Sequence, residues 1–252
     1  MSIANASISR LFIKPERRAK LKSAIALNLR RGWGIIGDIN SNEISPRQVL
    51  VACRSSLKQL EIAPGELREN IVLDLAKPEI FKPGAKVNFA SGAAIRLTFY
   101  CEPCRRVAHL VDRISSLEKN RGILGVVVNG GAIAINGEVA IEPDYYPALS
   151  DIPYERFLDY IRLIPAGKVV TYSQIIQSIG VDRSYFRAIP SYLKKTPTSY
   201  PSHRVVDSQG RITPHVAGQE AKLAAEGIKI SDRGKDKSIC LEQYAWKHRA
   251  IY

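Results

Sequence analysis

The chain has 252 residues, 45% of them hydrophobic and 24% charged, the balance of one large or two ordinary globular domains. No apolar run approaches the roughly 18–20 residues that a bilayer span needs, and no secretory-type apolar block opens the sequence, so an intracellular protein with no membrane partner is expected, cytoplasmic or, in a eukaryote, nuclear. Four cysteines are too few and too scattered for a disulfide scaffold, and a formal charge of +13 points to a polyanionic partner, most commonly a phosphate backbone.

The excess of base over acid is spread along the chain: residues 1–149 hold 21 Lys and Arg against 14 Asp and Glu, and residues 150–252 hold 16 against 10. The N-terminal stretch predicts a first strand followed by a solvated basic turn around RLFIKPERRAKLK, residues 10–22. SPRQVLVACRSSLKQLEI and RRVAHLVDRISSLEKN both carry apolar residues at helical spacing and predict helices. KVNFASGAAIRLTFYCEPC reads as strands. GILGVVVNGGAIAINGEVAIEP reads as three strands joined by Asn-Gly-Gly and Asn-Gly turns, a hairpin signal. Short strands at this spacing suggest a barrel or sandwich.

The character changes at EPDYYPALSDIPYE, which predicts a linker over residues 144–152 between domains at 1–143 and 153–252. Beyond it IPYERFLDYIRLI, VVTYSQIIQSIG, RSYFRAIPSYLKK and GQEAKLAAEGI have helical patterns separated by turns, the order of a winged helix-turn-helix module. The predicted fold class is therefore multidomain, a β-barrel with flanking helices followed by an α-rich α/β winged helix.

Within the first domain, CEPC invites metal or redox chemistry. A zinc half-site would need a second Cys/His pair at suitable spacing, and a thioredoxin-like dithiol a βαβ context; the sequence suggests neither, and a plain structural cysteine stays open. Residues 32–142 resemble the MOSC domain, the family of the molybdenum cofactor sulfurase C-terminus. The likeness rests on GWGIIGDIN, SPRQVLV around Arg47, LRENIVL around Asn70, the CEPC cysteine Cys104, and NGEVAIE. It implies a β-barrel that holds a molybdopterin cofactor (the molybdenum cofactor), with Cys104 as the protein ligand to molybdenum. Arg105 and Arg106 would favour the thiolate and meet the cofactor phosphate, and Arg47 and Asn70 would complete the cofactor site. A soft thiolate suits such a centre, and coordination deprotonates it. Family members reduce N-hydroxylated compounds, nucleobases included. With no iron–sulfur or flavin motif in the chain, the electron donor is expected to be a separate protein.

The run IPAGKVVTYSQIIQSIG…FRAIPSYLKKTPTSYPSHRVVDSQGRI…GQEAKLAAEGI, roughly residues 157–230, resembles the DNA-binding domain of O6-alkylguanine-DNA alkyltransferases. In that family a Pro-Cys-His-Arg motif supplies the thiolate that accepts the alkyl group; here Ser202 stands at the cysteine position. An alcohol would need a strong base and an oriented third group to replace it. Ser202, His203 and Glu226 formally offer that set, yet the resemblance is to alkyltransferase-like proteins, which bind alkylated DNA and lack the cysteine. It assigns Tyr172 to crowding the target phosphate and rotating the nucleotide outward, and Arg187 to filling the vacated gap in the stack, with DNA gripped in the minor groove. Ser202 becomes a pocket wall, with His203 and Arg204 as its support. Two departures stand out: Pro190 replaces a usual glycine, where a mid-helix proline would cost about 3 kcal/mol, and Thr196-Pro197 replaces the usual Asn-Pro hinge.

Together these readings predict a DNA-base repair protein. Its C-terminal domain flips a modified base, and its N-terminal molybdenum site reduces an N-hydroxylated base to the amine. The alternatives are a non-catalytic sensor that binds O6-alkylguanine and recruits repair factors, and a small-molecule reductase whose basic tail localises it on nucleic acid.

Overall fold

The first strand, β1 (Ala4–Ile13), turns Ile8 and Leu11 inward and Arg10 outward, with a register shift between Ile8 and Arg10 where it pairs with a later strand. The computed structural model describes residues 4–233 and 236–247, in two units that divide between Asp151 and Ile152. After β1 come β2 (Lys22–Ala24), β3 (Ala26–Arg30), β4 (Gly34–Ile35), β5 (Val49–Cys53), the helix α1 (Arg54–Gln59), β6 (Ile71–Leu75), β7 (Lys86–Phe89), β8 (Ala94–Tyr100), β9 (Ile123–Asn129), β10 (Gly131–Ala134) and β11 (Glu138–Glu142).

β1 pairs antiparallel with β6 on one side and with β11 on the other. The strand order β1-β11-β7-β8-β9-β5-β6 therefore returns to β1, and hydrogen bonding closes around seven strands. Closure removes the exposed edges that an open sheet would present. All these pairings are antiparallel except β5–β6, whose connection runs through α1. The interior is filled by branched side chains that alternate along the strands, among them Ile8, Val51, Leu73, Val87, Ile95 and Leu97. Each is essentially inaccessible, so truncation of one, such as Leu97→Ala, would cost about 2–5 kcal/mol. β10, β3 and β4 form a separate three-stranded sheet.

Three sequence expectations are corrected here. The helix expected over SPRQVLVACRSSLKQLEI is mostly β5, with only Arg54–Gln59 helical. Every residue of β5 is buried because both its faces are covered, Val49 and Val51 packing in the barrel interior and Leu50 and Ala52 in clusters on the other face, and such a continuous apolar run imitates a helical face. RRVAHLVDRISSLEKN forms two short 3-10 turns, Ala108–Leu110 and Ile114–Leu117; Val107 and Leu117 still bury in a small core beside α1. The Asn-Gly turns do not make hairpins. β10 pairs with β3, and β11 with β1 and β7, so each strand after a turn joins a different partner.

The segment expected as a linker, 144–152, is held along the N-terminal unit almost to its end. Tyr146 N–H donates to Gly84 O at 2.8 Å, Arg96 to Pro147 O at 2.7 Å, Leu149 N–H to Thr98 O at 3.2 Å, and Tyr100 N–H to Asp151 Oδ1 at 3.1 Å. Gly84, at φ 89°, permits this approach; a Cβ there would meet Tyr146 O at 2.6 Å.

The second unit is helix-rich: α2 (Pro153–Arg162), β12 (Val170–Thr171), α3 (Tyr172–Ser178), a 3-10 turn at Arg183–Arg187, α4 (Ile189–Lys195), a 3-10 turn at Ser202–Arg204, β13 (Val205–Val206), α5 (Gln219–Ala225), β14 (Ile230–Arg233), β15 (Asp236–Ile239) and α6 (Leu241–Tyr244). α2 opens with Pro153, which loses no hydrogen bond there, and buries Phe157, Tyr160 and Ile161 against Ile175, Ile176, Ile189 and Leu193. α3 starts at a capping box: Gln174 N–H donates to Thr171 Oγ1 at 3.3 Å and Thr171 N–H to Gln174 Oε1 at 2.8 Å. Pro190 falls in the first turn of α4, so the penalty of a mid-helix proline does not arise.

Candidate functional site

Two regions concentrate polar chemistry, one in each unit. In the first, a cavity of about 560 Å³ opens among the loops that flank β1, β5, β6 and β9. Six cationic side chains line it, Lys14, Arg17, Arg47, Arg68, Arg106 and Arg121, with Asn70 and Cys101; no acidic side chain does so among the described residues. Burial, followed by the neighbouring charges of Arg68 and Arg106, pushes the Lys14 ammonium down in pKa. Burial and then Arg106 and Arg121 do the same to Arg68. The cations are thus crowded in a way that a bound anion would relieve.

The walls of this cavity are fixed by hydrogen bonds. Asn70 is 3% exposed; its Oδ1 accepts from Leu50 N–H at 3.0 Å and its Nδ2 donates to Phe12 O at 3.3 Å and Asp38 Oδ2 at 3.0 Å. Asp38 also accepts from Lys14 N–H at 2.9 Å, which ties the start of the basic turn to the Gly-Asp loop. Asn70 therefore positions loops, its amide being committed within the chain. Gln48, fully buried, donates to Asn42 O at 2.9 Å and accepts from Val127 N–H at 3.0 Å, which holds the segment leading to Arg47.

Cys104 is partly exposed and lies against the small core beside α1. Arg121, 5% exposed, donates to Glu102 O and to Cys104 Sγ, the latter at 3.3 Å, while its Nε has no hydrogen-bond partner. Sequence reasoning missed this arginine, since a lone Arg before Gly122 carries no motif. Arg106 lines the cavity, whereas Arg105 is exposed and does not. Cys101 is buried and lines the cavity, and burial pushes its thiol pKa up, which keeps it protonated. Glu69 was also missed: it is fully buried, burial pushes its carboxyl up, and Oε2 lacks a partner while Oε1 accepts from Gly65 N–H.

In the second unit the Pro-Ser-His-Arg motif forms a 3-10 turn running into β13. His203 Nε2 lies 2.8 Å from Glu226 Oε1. Arg204 grips both oxygens of the same carboxylate, Nη2–Oε1 at 2.6 Å and Nε–Oε2 at 3.0 Å, and its Nη1 donates to Ile164 O at 2.6 Å. Gly167 N–H adds a bond to Oε2 at 3.0 Å. Burial opposes ionisation of Glu226, but the bonds from Arg204, His203 and Gly167 outweigh it and hold the carboxyl at about 2. Ser202 is 7% exposed, and its hydroxyl makes no hydrogen bond among the described residues. His203 faces Glu226, and no bond from it activates Ser202, so the geometry is that of a support.

Tyr172, the first residue of α3, lines a second cavity of about 570 Å³ with Pro190, Asp207, Arg211, Thr213 and His215. Its hydroxyl lies 3.1 Å from Thr213 Oγ1. Gln219, 2% exposed, accepts from Thr213 N–H at 2.8 Å and donates to His203 O at 2.9 Å and Val205 O at 2.7 Å. That side chain joins the motif to the loop facing Tyr172; an isolated glutamine at a helix start gives no warning of it. Ser202 does not line this cavity. Arg187 ends its 3-10 turn exposed, with no hydrogen bond or ion pair among the described residues.

Residues 153–228 match the family described as "6-O-methylguanine DNA methyltransferase, DNA binding domain". The chain is 38% identical over 92 residues to a DNA base-flipping protein of Vibrio parahaemolyticus, a match covering 34% of this chain and 88% of that protein. It is 35% identical over 103 residues to alkyltransferase-like protein 1 of Schizosaccharomyces pombe, covering 37% and 94%. The solved structure of that yeast protein with DNA containing O6-carboxymethylguanine matches 39% of this chain at a TM-score of 0.36. Through its C-terminal unit the chain belongs to the alkyltransferase-like DNA-binding family. The YuaD protein of Bacillus subtilis is similar at 18% identity and a TM-score of 0.48, over 56% of this chain and 97% of that one. No helix among the described residues is long and apolar enough to cross a membrane.

Proposed function

We propose that this protein binds damaged DNA through a C-terminal winged-helix unit, turns a modified base out of the stack, and reduces N-hydroxylated bases at a MOSC-type β-barrel site in the N-terminal unit. Family membership supports the DNA-binding half, since the matched relatives are a base-flipping protein and an alkyltransferase-like protein. Tyr172 then rotates the nucleotide, and the unpartnered guanidinium of Arg187 enters the gap, where a planar cation replaces part of the lost stacking. Ser202 does no alkyl transfer, because no base is poised to ionise it.

The observation that carries the reductive half is the cation-lined cavity beside Cys104, with the buried Arg121 Nε left unpaired. The residues present fit a molybdopterin: Cys104, which does not itself line the cavity but accepts from the lining Arg121, would offer a soft sulfur ligand, and Arg47, Arg68 and Arg106 would meet an anionic phosphate. Arg105, exposed and off the cavity, contributes only through its charge. When bound, the cofactor supplies two-electron redox chemistry at the metal. In net terms the N–O bond of the hydroxylamino base breaks and two electrons and two protons are consumed, one proton forming the new N–H bond and the other turning the departing hydroxyl into water. The electrons come from a separate donor protein. This chain's residues bind the anion, orient the loops through Asp38 and Asn70, and hold the thiol.

The test is metal analysis of protein expressed in a cofactor-competent host, followed by incubation with N-hydroxylated cytosine in DNA and a reductant. Stoichiometric molybdenum and conversion to cytosine, both lost in Cys104→Ala, are expected. A metal-free protein that still binds O6-alkylguanine DNA tightly would instead establish the non-catalytic sensor, a reading favoured by the absence of any activated nucleophile around Ser202.

A further inference from the structure

The basic turn after β1 is unexplained by either half of this mechanism. Residues 14–22, KPERRAKLK, hold five cations and one acid, and all but Lys14, Ala19 and Leu21 are exposed. Arg17, Arg18, Lys20 and Lys22 make no ion pair or side-chain hydrogen bond among the described residues. The turn is anchored where it leaves β1: Lys14 N–H bonds Asp38, and Ile39 N–H donates to Lys14 O at 2.8 Å. Lys14, Arg17 and Leu21 from this turn line the cavity beside Arg47, Arg68 and Arg106. The solvated cations of the turn and the half-buried cations of the cavity thus form one continuous basic surface.

That surface carries more charge than one cofactor phosphate, a dianion at most, requires. Six cations already line the cavity, and Arg18, Lys20 and Lys22 extend the charge outside it. A single phosphate in the cavity would leave the turn unused. A chain of phosphodiesters, spaced several ångströms apart, would engage both parts at once.

We infer that the N-terminal unit binds nucleic acid itself: the turn at residues 14–22 holds the phosphodiester backbone of a DNA strand at the mouth of the cavity. This rests on the proposed function and deepens it, since the strand that bears the base would be gripped beside the reductive site as well as by the C-terminal unit. Binding by the turn needs no cofactor, so it is testable apart from the reaction.

The experiment compares the full-length protein with the triple variant Arg18→Gln/Lys20→Gln/Lys22→Gln, none of whose positions lines the cavity. Binding to a fluorescein-labelled DNA duplex carrying one N-hydroxylated cytosine is followed by anisotropy across a salt series. Each lost phosphate contact removes roughly 0.7–0.9 from the slope of log K against log salt, so the slope should become shallower by about 2. Affinity at low salt should fall at least about tenfold if two to three contacts are lost. Lys20 and Lys22 in the wild type should also be protected by DNA from an amine-reactive reagent. Molybdenum content, measured on the same preparations, should be unchanged, separating loss of the strand from loss of the cofactor. An unchanged slope in the triple variant, with no protection of the lysines, would overturn the inference while leaving base reduction to stand or fall on its own assay. Equal competition by inorganic phosphate at the same charge concentration would also overturn it, since it would mean a simple anion site.

Discussion

The two units use cations in opposite ways. In the C-terminal motif Arg204 and His203 converge on one carboxylate, and nearly every polar atom of Glu226 is used inside the fold. The N-terminal cavity is lined by six cations and by no acidic side chain among the described residues. Charges gathered together are relieved either by a partner inside the fold or by a bound ion of opposite sign. The first arrangement therefore reads as a brace, and the second as a receptor. The Ser-His-Arg motif, which looks catalytic in sequence, is bound up inside the fold, while the cavity is assembled from distant loops.

Substitutions that cut the brace should have the largest effect. Gln219→Ala leaves Thr213 N–H and two carbonyls buried without partners, and about 3 kcal/mol of stability should be lost. Thermal or urea unfolding of the variant would show it; a loss below about 0.5 kcal/mol would mean that the brace is not Gln219-dependent.

Glu226 sharpens the same point through pH. Its folded-state pKa of about 2 lies below the ordinary 4.5, so its contribution to stability is present above pH 4.5 and fades as pH falls toward 2. The shift corresponds to roughly 2–3 kcal/mol, allowing for its partial exposure. Urea midpoints of the wild type should fall across that window, and Glu226→Gln, less stable at neutral pH, should lose most of that acid dependence. Parallel curves for the two proteins would count against the brace.

Arg187→Ala should leave folding intact, because its side chain bonds nothing in the described structure. It should reduce base extrusion, read by 2-aminopurine fluorescence opposite the turned-out nucleotide, about tenfold, since an unstacked duplex step costs a few kcal/mol that the arginine offsets in part. Unchanged fluorescence would remove Arg187 from the mechanism. Smallest of all, Ser202→Ala should shift stability by less than about 1 kcal/mol, because the lost hydroxyl had no hydrogen-bond partner. A large decline in lesion binding by that variant would restore Ser202 to the pocket.

Much of this architecture was legible in sequence where local chemistry decided the outcome. The helical spacing of IPYERFLDYIRLI, VVTYSQIIQSIG and GQEAKLAAEGI corresponds to α2, α3 and α5, and the units divide within the 144–152 segment, whereas Pro190, expected inside a helix, sits in a first turn. The illegible parts depended on tertiary partners. β5 reads as a helix because both its faces are covered, and the Asn-Gly turns read as hairpins because nothing local says that β10 will pair with β3. At the sites, Cys104 and the Ser-His-Arg motif stood out by residue type. Arg121, Glu69 and Gln219 did not, since their roles arise from burial and from atoms 4 to 19 positions away. Glycines show the same limit: Gly210, at φ 78°, is needed because a Cβ there would stand 2.3 Å from Ile239 O, a contact visible only in three dimensions.

The proposed function requires one chain both to present a base and to reduce it. The direct measurement is amine formation by cofactor-loaded protein on N-hydroxylated cytosine, as the free nucleoside and within duplex DNA, for wild type, Arg187→Ala and Cys104→Ala. Cys104→Ala should be inactive on both substrates, and Arg187→Ala should keep activity on the nucleoside but lose most of it on the duplex. Equal amine yields from wild type and Cys104→Ala would contradict it.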